Sequence, residues 1–183
     1  MVTSFMAQVW YTGRAQPPPE LRSTRGFLHL SRVECNSGGI RVVGVSAFSL
    51  PIVPRYAEVD QQGVVFNGHY LTWFDEACTA FLDDLGVAYP DLISAGYDFQ
   101  VVHSEVDFLA PVRWRDEVRV TTECSRIGST SFTVGFGVRR KAAGVAEQLA
   151  VQGHNVYVVV STDDWAKRPI PDALRDALSN SQA

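Results

Sequence analysis

From residue 70 to residue 85 the apolar side chains recur at helical period. Tyr70, Leu71, Phe74, Ala77, Cys78, Phe81, Leu82 and Leu85 form one broad stripe, which predicts an amphipathic helix wrapped by other elements. Gly86 supplies the stop. Asn67 is the expected N-cap, with Gly68 and His69 opening the first turn. Elsewhere the period is two, and five strands are expected. The first runs from Phe48 to Glu58. The second, Phe99 to Phe108, alternates Gln100, Val102, Ser104, Val106 and Phe108 against Val101, His103, Glu105 and Asp107, and ends before Pro111. The third, Glu117 to Cys124, puts Val118, Val120, Thr122 and Cys124 on one face, and the fourth does the same with Phe132, Val134, Phe136 and Val138. The fifth, Val145 to about Ser161, is long enough to need a bend, for which Gly153 is the obvious place. Turns are expected at Ile127-Gly128-Ser129 and at Lys141 to Gly144. A last helix should begin with Pro171 at its first position and cover Ala173, Leu174, Ala177 and Leu178. Strand, helix, then four mostly antiparallel strands make an α+β arrangement around one buried helix.

Composition narrows the class. With 183 residues, 46% of them hydrophobic, the chain can bury one ordinary core, and no run of about 18 apolar residues predicts a membrane span. The net charge of −4 is uneven: residues 1 to 41 hold five arginines (14, 22, 25, 32 and 41) against Glu20 and Glu34, leaving −7 for the rest. That acidic remainder argues against nucleic acid as a partner. Cys35, Cys78 and Cys124 are odd in number and far apart, so reduced thiols and a cytoplasmic setting are expected. Residues 1 to 43 contain Pro17-Pro18-Pro19 and Gly38-Gly39 but no apolar core of a secretory signal. They are expected to be a disordered extension or a misassigned start, with Val42, Val43 and Val45 as alternative starts. The domain is then placed at residues 44 to 168, with a C-terminal helix and tail at 169 to 183.

The densest chemistry lies between Arg55 and Ala77. Tyr56 to Asp60 reads as a strand end, Gln61-Gln62-Gly63 as a turn, and the helix that follows as aimed back at it. Asp60 is thereby expected near a helix N-terminus, where free N–H groups and the dipole favour developing negative charge. The plainer reading of Asp60 is a turn residue, since Asp-x-x-Gly often caps a tight bend. Glu58, two residues earlier on the same strand face, is read as structural or solvated. His69 either lines a substrate channel or only covers the helix start. His29, His103 and His154 look isolated, no histidine pair has ligand spacing, and no metal is expected. Cys78 falls inside the apolar stripe and is read as core. Gly44-Val45-Ser46-Ala47-Phe48 lacks the second glycine of a nucleophile elbow, and Gly135-Phe136-Gly137 the third of a dinucleotide loop.

The run Arg55-Tyr56-Ala57-Glu58-Val59-Asp60-Gln61-Gln62-Gly63-Val64-Val65, then Tyr70-Leu71 and Trp73-Phe74, Phe108-Leu109-Ala110-Pro111, Gly128-Ser129 and Ser131-Phe132, resembles the hotdog-fold thioesterases of the 4-hydroxybenzoyl-CoA thioesterase and prokaryotic acyl-CoA thioesterase type. The resemblance covers roughly residues 48 to 178. It implies a five-stranded antiparallel sheet wrapped around a central helix, acyl-CoA as substrate without a further cofactor, and a homodimer or homotetramer with its sites between protomers. It implies Asp60 as the catalytic carboxylate and the Asn67 backbone amide, joined by that of Gly68, as donor to the thioester carbonyl. Many members carry His where Asn67 stands and Asn where His69 stands. Expected substrate contacts are Gly63, Val64, His69 and Tyr70. Arg126, Ser129, Thr130 and Ser131 are expected to meet the coenzyme, as is the basic run Arg139-Arg140-Lys141. Another branch of the superfamily places its carboxylate on the central helix, which makes Glu76 the reserve catalytic residue beside Asp75. The competing readings are a hydratase, a silent acyl-CoA-binding module, and a thioesterase acting on acyl carrier protein.

Overall fold

The computed structural model describes residues 48–182. The readings of the extension, of His29, of Cys35 and of the Gly44 to Ala47 segment lie outside the described residues. Five strands, β1 (Phe48–Ile52), β2 (Tyr97–Phe108), β3 (Glu117–Ile127), β4 (Ser131–Lys141) and β5 (Gln148–Ser161), form one antiparallel sheet in the order β1-β3-β4-β5-β2. The helix α1 (His69–Asp84) packs on one face of that sheet, which is the hotdog architecture. Two shorter α-helices, α2 (Tyr89–Ser94) and α3 (Asp172–Asn180), are the others among the described residues.

The face that α1 buries is close to the one its spacing predicts. Tyr70, Trp73, Phe74, Ala77, Cys78, Phe81 and Leu82 are buried, whereas Leu71 is exposed and Trp73 takes its place. Phe74 lies flat on Phe136 of β4, ring centroids 4.5 Å apart. Tyr70 meets Phe108 of β2 edge to face at 5.5 Å. At the other end Gly86 adopts φ +77, and the Val87 N–H reaches back to the Leu82 carbonyl at 2.9 Å, a glycine-terminated helix end. Leu174 and Leu178 of α3 are fully buried in the same core cluster.

Several boundaries differ from the sequence reading. Strand β1 stops at Ile52 instead of Glu58; Pro54 follows, and Tyr56–Glu58 forms one turn of 3-10 helix. Pro51 within β1 is tolerated because β1 is an edge strand. The short helix α2 was not anticipated. Pro171 caps α3 from the preceding position instead of opening its first turn. The largest correction concerns β2, where the pairing with β5 slips by one residue between Val101 and His103. A bulge exchanges the two faces of a strand. Phe99 and Phe108, an odd and an even position, therefore both pack against the core, and strict alternation fails. Gly153 is not a bulge: the slip in β5 falls at Ala150, which is skipped between Val151, paired with Val138, and Leu149, paired with Arg139. What Gly153 permits is close approach, since a Cβ there would collide with the Glu105 carbonyl and come within 2.9 Å of the Phe74 ring.

Candidate active site

The segment before α1 folds back on itself. Val59 and Val65 form an antiparallel bridge, the Phe66 N–H donates to the Glu58 carbonyl at 2.9 Å, and the Asp60 N–H donates to Val64 at 2.9 Å. Gly63 closes the tip with φ +75, its N–H on the Asp60 carbonyl at 3.0 Å. The returning strand of this small hairpin runs directly into the helix, so Asp60 and the first turn of α1 belong to one hydrogen-bonded unit. Asp60 is half-buried. One carboxylate oxygen accepts the Gln62 N–H at 2.8 Å, the turn-type bond of the plainer reading. The other oxygen has no hydrogen-bond partner among the described residues.

The helix start differs from the expected cap in an informative way. Gly68, not Asn67, is the N-cap, and no side chain caps it. The His69 N–H turns back to the Phe66 carbonyl at 3.0 Å, while the N–H groups of Asn67 and Gly68 have no partner among the described residues. Unsatisfied donors at the positive end of a 16-residue helix are suited to a developing oxyanion. His69 is half-buried and meets the exposed Phe66 ring edge to face. Burial pushes the Tyr70 hydroxyl up to about 12, against the Val112 backbone and the Arg140 charge, which work the other way, while the charges of Asp116 and Asp60 add smaller amounts to the rise.

The loop after β2 braces this hairpin. The Val65 N–H donates to the Val112 carbonyl at 2.8 Å, Arg113 Nη1 reaches the Gly63 carbonyl at 3.4 Å, and Tyr56 contacts Trp114 edge to face. Arg113, Trp114 and Arg115, an exposed basic and aromatic group beside the Asp60 turn, were not singled out from the sequence. Their adjacency after Pro111 was the available signal.

Glu58 is not on a strand face with Asp60. It is 3% exposed, and its carboxylate accepts from Arg55 N at 2.7 Å, Arg55 Nε at 3.0 Å, Arg55 Nη2 at 2.7 Å and Trp73 Nε1 at 3.4 Å. Burial works to raise this carboxyl, but the hydrogen bonds from Arg55 and Trp73 together outweigh it and hold the group below the ordinary glutamate range. Of the two readings, structural or solvated, the buried and fully hydrogen-bonded carboxylate excludes the solvated one, for a reason the sequence did not show. Glu76 is exposed on α1 and lines, with Arg55, Glu58, Trp73 and Pro51, a cleft of about 250 Å³. Burial pushes the Cys78 thiol up to about 12, so it belongs to the core and is no nucleophile at neutral pH.

The expected coenzyme contacts are at the far end of the sheet. Ser131 pairs with Val158, whereas Phe108, against which Tyr70 packs, pairs with Val151, a separation of roughly 23 Å along the strand. Arg126, Ser129, Thr130 and Ser131 therefore do not meet Asp60 within one chain. Their turn is fastened by Ile170 and Val159 N–H groups on the Ser129 and Thr130 carbonyls at 2.9 Å, and by Arg175 on the Gly128 carbonyl at 2.8 Å. The basic run is also engaged: Arg140 pairs with Asp116 at 3.1 Å, Arg139 with Glu147 at 3.9 Å and Lys141 with Glu117 at 3.5 Å. His103 and His154 are not isolated, because β2 and β5 are neighbours and bring the two rings within 5.5 Å.

Comparison with known proteins agrees with this architecture. The family model of the thioesterase superfamily matches residues 62–147, beginning two residues after Asp60. A 1,4-dihydroxy-2-naphthoyl-CoA hydrolase of Nostoc punctiforme is 25% identical over 129 residues, which cover 70% of this chain and 84% of that protein. The crystal structure of the hypothetical protein TT1821 from Thermus thermophilus superposes with a TM-score of 0.66 at 29% identity, covering 73% of this chain and 98% of that one. The BH1999 gentisyl-coenzyme A thioesterase superposes with a TM-score of 0.64 at 27% identity, covering 72% and 99%.

Proposed function

We propose that this chain, a hotdog-fold member of the thioesterase superfamily, hydrolyses an acyl-CoA thioester to the free acid and coenzyme A, with Asp60 as the catalytic carboxylate and no metal in the chemical step. The observation that carries the reading is the union of the Asp60 turn with a helix start whose Asn67 and Gly68 amides have no partner among the described residues. A thioester needs little more than that. Its thiolate leaves with a pKa of about 8.5, so departure requires no strong general acid. The two amides take the carbonyl oxygen as it becomes an oxyanion, and Asp60 either removes a proton from the attacking water or attacks the carbonyl carbon itself. In the second route an anhydride forms with loss of the thiolate, and water then cleaves it to restore the carboxylate.

Arg113 beside the turn supplies a nearby cation for the coenzyme. Arg126, Ser129, Thr130 and Ser131 act in this reading only from a second copy of the chain, at a site shared between protomers of a homodimer or homotetramer. Among the described residues β1 and β2 are the outer strands of the sheet, and an outer strand offers unpaired backbone groups to a second copy. Aromatic acyl groups in the names of the hydrolase and thioesterase relatives put aryl-CoA substrates first among those to be tried.

The test is thiol release from a panel of short, long and aromatic acyl-CoAs by the wild type, Asp60→Asn and Glu76→Gln. The reading expects turnover with at least one substrate, a loss of about 100-fold or more in Asp60→Asn, and near-normal rates in Glu76→Gln. Turnover unaffected by Asp60→Asn would transfer the role to Glu76. No turnover by a folded wild type would leave a binding module.

A further inference from the structure

We propose that His103, Glu105 and His154 form a binding site for one divalent transition-metal cation, Zn²⁺ foremost, on the sheet face turned away from α1. The register places them together. Glu105 is directly opposite His154 across the β2/β5 ladder, and His103 is two residues before Glu105, beyond the bulge and on the same face. One ligand atom from each of the three lies within 4.8 Å of the others, and the two imidazole rings are 5.5 Å apart. This is the one group of three or more His, Cys, Asp or Glu side chains among the described residues that converges closely enough to hold a cation.

The face is fixed by what lies behind it. Val106 and Gly153, the next residues along each strand, point at the helix, where Gly153 comes within contact of Phe74. Glu105 and His154 therefore project from the opposite side. Two imidazole nitrogens with one carboxylate oxygen form a borderline donor set that suits Zn²⁺ and its first-row neighbours better than Mg²⁺ or Ca²⁺. A tetrahedral ion with bonds of about 2.0–2.1 Å needs its ligand atoms about 3.4 Å apart. The side chains can close by that much, because His103 and Glu105 are exposed and His154 is half-exposed. No competing partner holds them: none of the three makes a side-chain hydrogen bond or ion pair with a described residue. The neighbouring Asp107 carboxylate is occupied by the Gln152 amide at 3.2 Å.

The backbone beneath is preorganised. Gly153 lets β5 approach the Glu105 carbonyl more closely than any side chain would allow, so the two strands that carry the ligands are held at one spacing before any ion arrives. Three protein ligands leave a fourth position open to solvent. An ion there fastens the edge strand β2 to its neighbour and takes no part at Asp60, so the inference is independent of the proposed hydrolysis.

The experiment uses the untagged full chain, stripped with EDTA and titrated with Zn²⁺ alone by calorimetry, with thermal melts of the same samples. The wild type should take up one Zn²⁺ per chain and melt higher with the ion. His154→Gln, Glu105→Gln and the double variant His103→Gln/His154→Gln should fold and melt as the ion-free wild type does, and bind at least about tenfold more weakly, since each removes a ligand. Co²⁺ in place of Zn²⁺ should give a visible absorption band in the wild type that the double variant lacks. The absence of saturable uptake by the wild type, or unchanged affinity in the double variant, would overturn the proposal.

Discussion

The Asp60 carbonyl accepts the Gly63 N–H at 3.0 Å, so the candidate catalytic carboxylate and the glycine that lets the chain turn are one structural unit. Gly63 has φ +75 and only Arg113 Nη1, at 3.8 Å, near where a Cβ would stand. Gly63→Ala therefore meets backbone strain without a steric clash, a cost of about 1 kcal/mol. The variant should fold, melt slightly lower, and lose activity well beyond its loss of stability because the carboxylate is re-aimed. Melting curves and thiol-release rates on the same preparation check this.

Gly68 offers a direct test of the oxyanion donors. Its φ of −66 is the value that proline imposes, so Gly68→Pro removes the N–H with the backbone angle preserved. Turnover should fall about 100- to 1,000-fold, the usual effect of one lost oxyanion donor. Gly68→Ala keeps the N–H and, at 3.1 Å from the Phe66 ring, should lose much less. Asn67→Ala should stay near wild type, since its backbone amide survives. Steady-state kinetics on the three variants separates these outcomes.

Glu58 makes stability depend on acidity. Its carboxyl is held below its ordinary value of 4.5 in the fold, so it contributes stability that is present above the unfolded-state value and lost as the pH falls through the lower folded-state value. Melting temperatures of the wild type should therefore fall as the pH drops below about 4.5, and Glu58→Gln should show a shallower decline over the same acidic range. At neutral pH the variant should already be less stable by about 1–3 kcal/mol, because Arg55 and Trp73 lose a charged acceptor.

Gly153→Ala should be destabilising by about 1–3 kcal/mol, since the added methyl must displace the Glu105 backbone or the Phe74 ring. Gly135→Ala on β4, whose Cβ would meet the Glu123 side chain at an ordinary 3.6 Å, is the matched control and should melt near the wild type. Chemical denaturation of both gives the comparison.

How far the sequence could be read depended on how local the relevant contacts are. The α1 stripe, its stop at Gly86 and the alternation within β3 and β4 were legible because each follows from the period of one element, and the burial of Phe74, Cys78, Val120 and Val134 agrees with it. The expected cap at Asn67 failed because capping depends on one residue's dihedrals, which a composition rule cannot fix. Glu58 was misplaced for a similar reason. Pro54 ends β1 early, and the 3-10 turn that follows swings the carboxylate onto Arg55 and Trp73.

The sequence by itself determined the order of the five strands, the central helix and the last helix, the buried face of the central helix and the segment in which Asp60 sits, all set by hydrophobic periodicity and turn residues close together along the chain. Only the tertiary structure decided that the Asn67 and Gly68 amides find no partner among the described residues, that the Gly128 to Ser131 turn lies at the opposite end of the sheet from Asp60, and that His103, Glu105 and His154 converge. The last of these depends on strands some fifty residues apart and on a single-residue slip between Val101 and His103. Register and bulges are settled by packing against the rest of the sheet, and no short stretch of sequence records them.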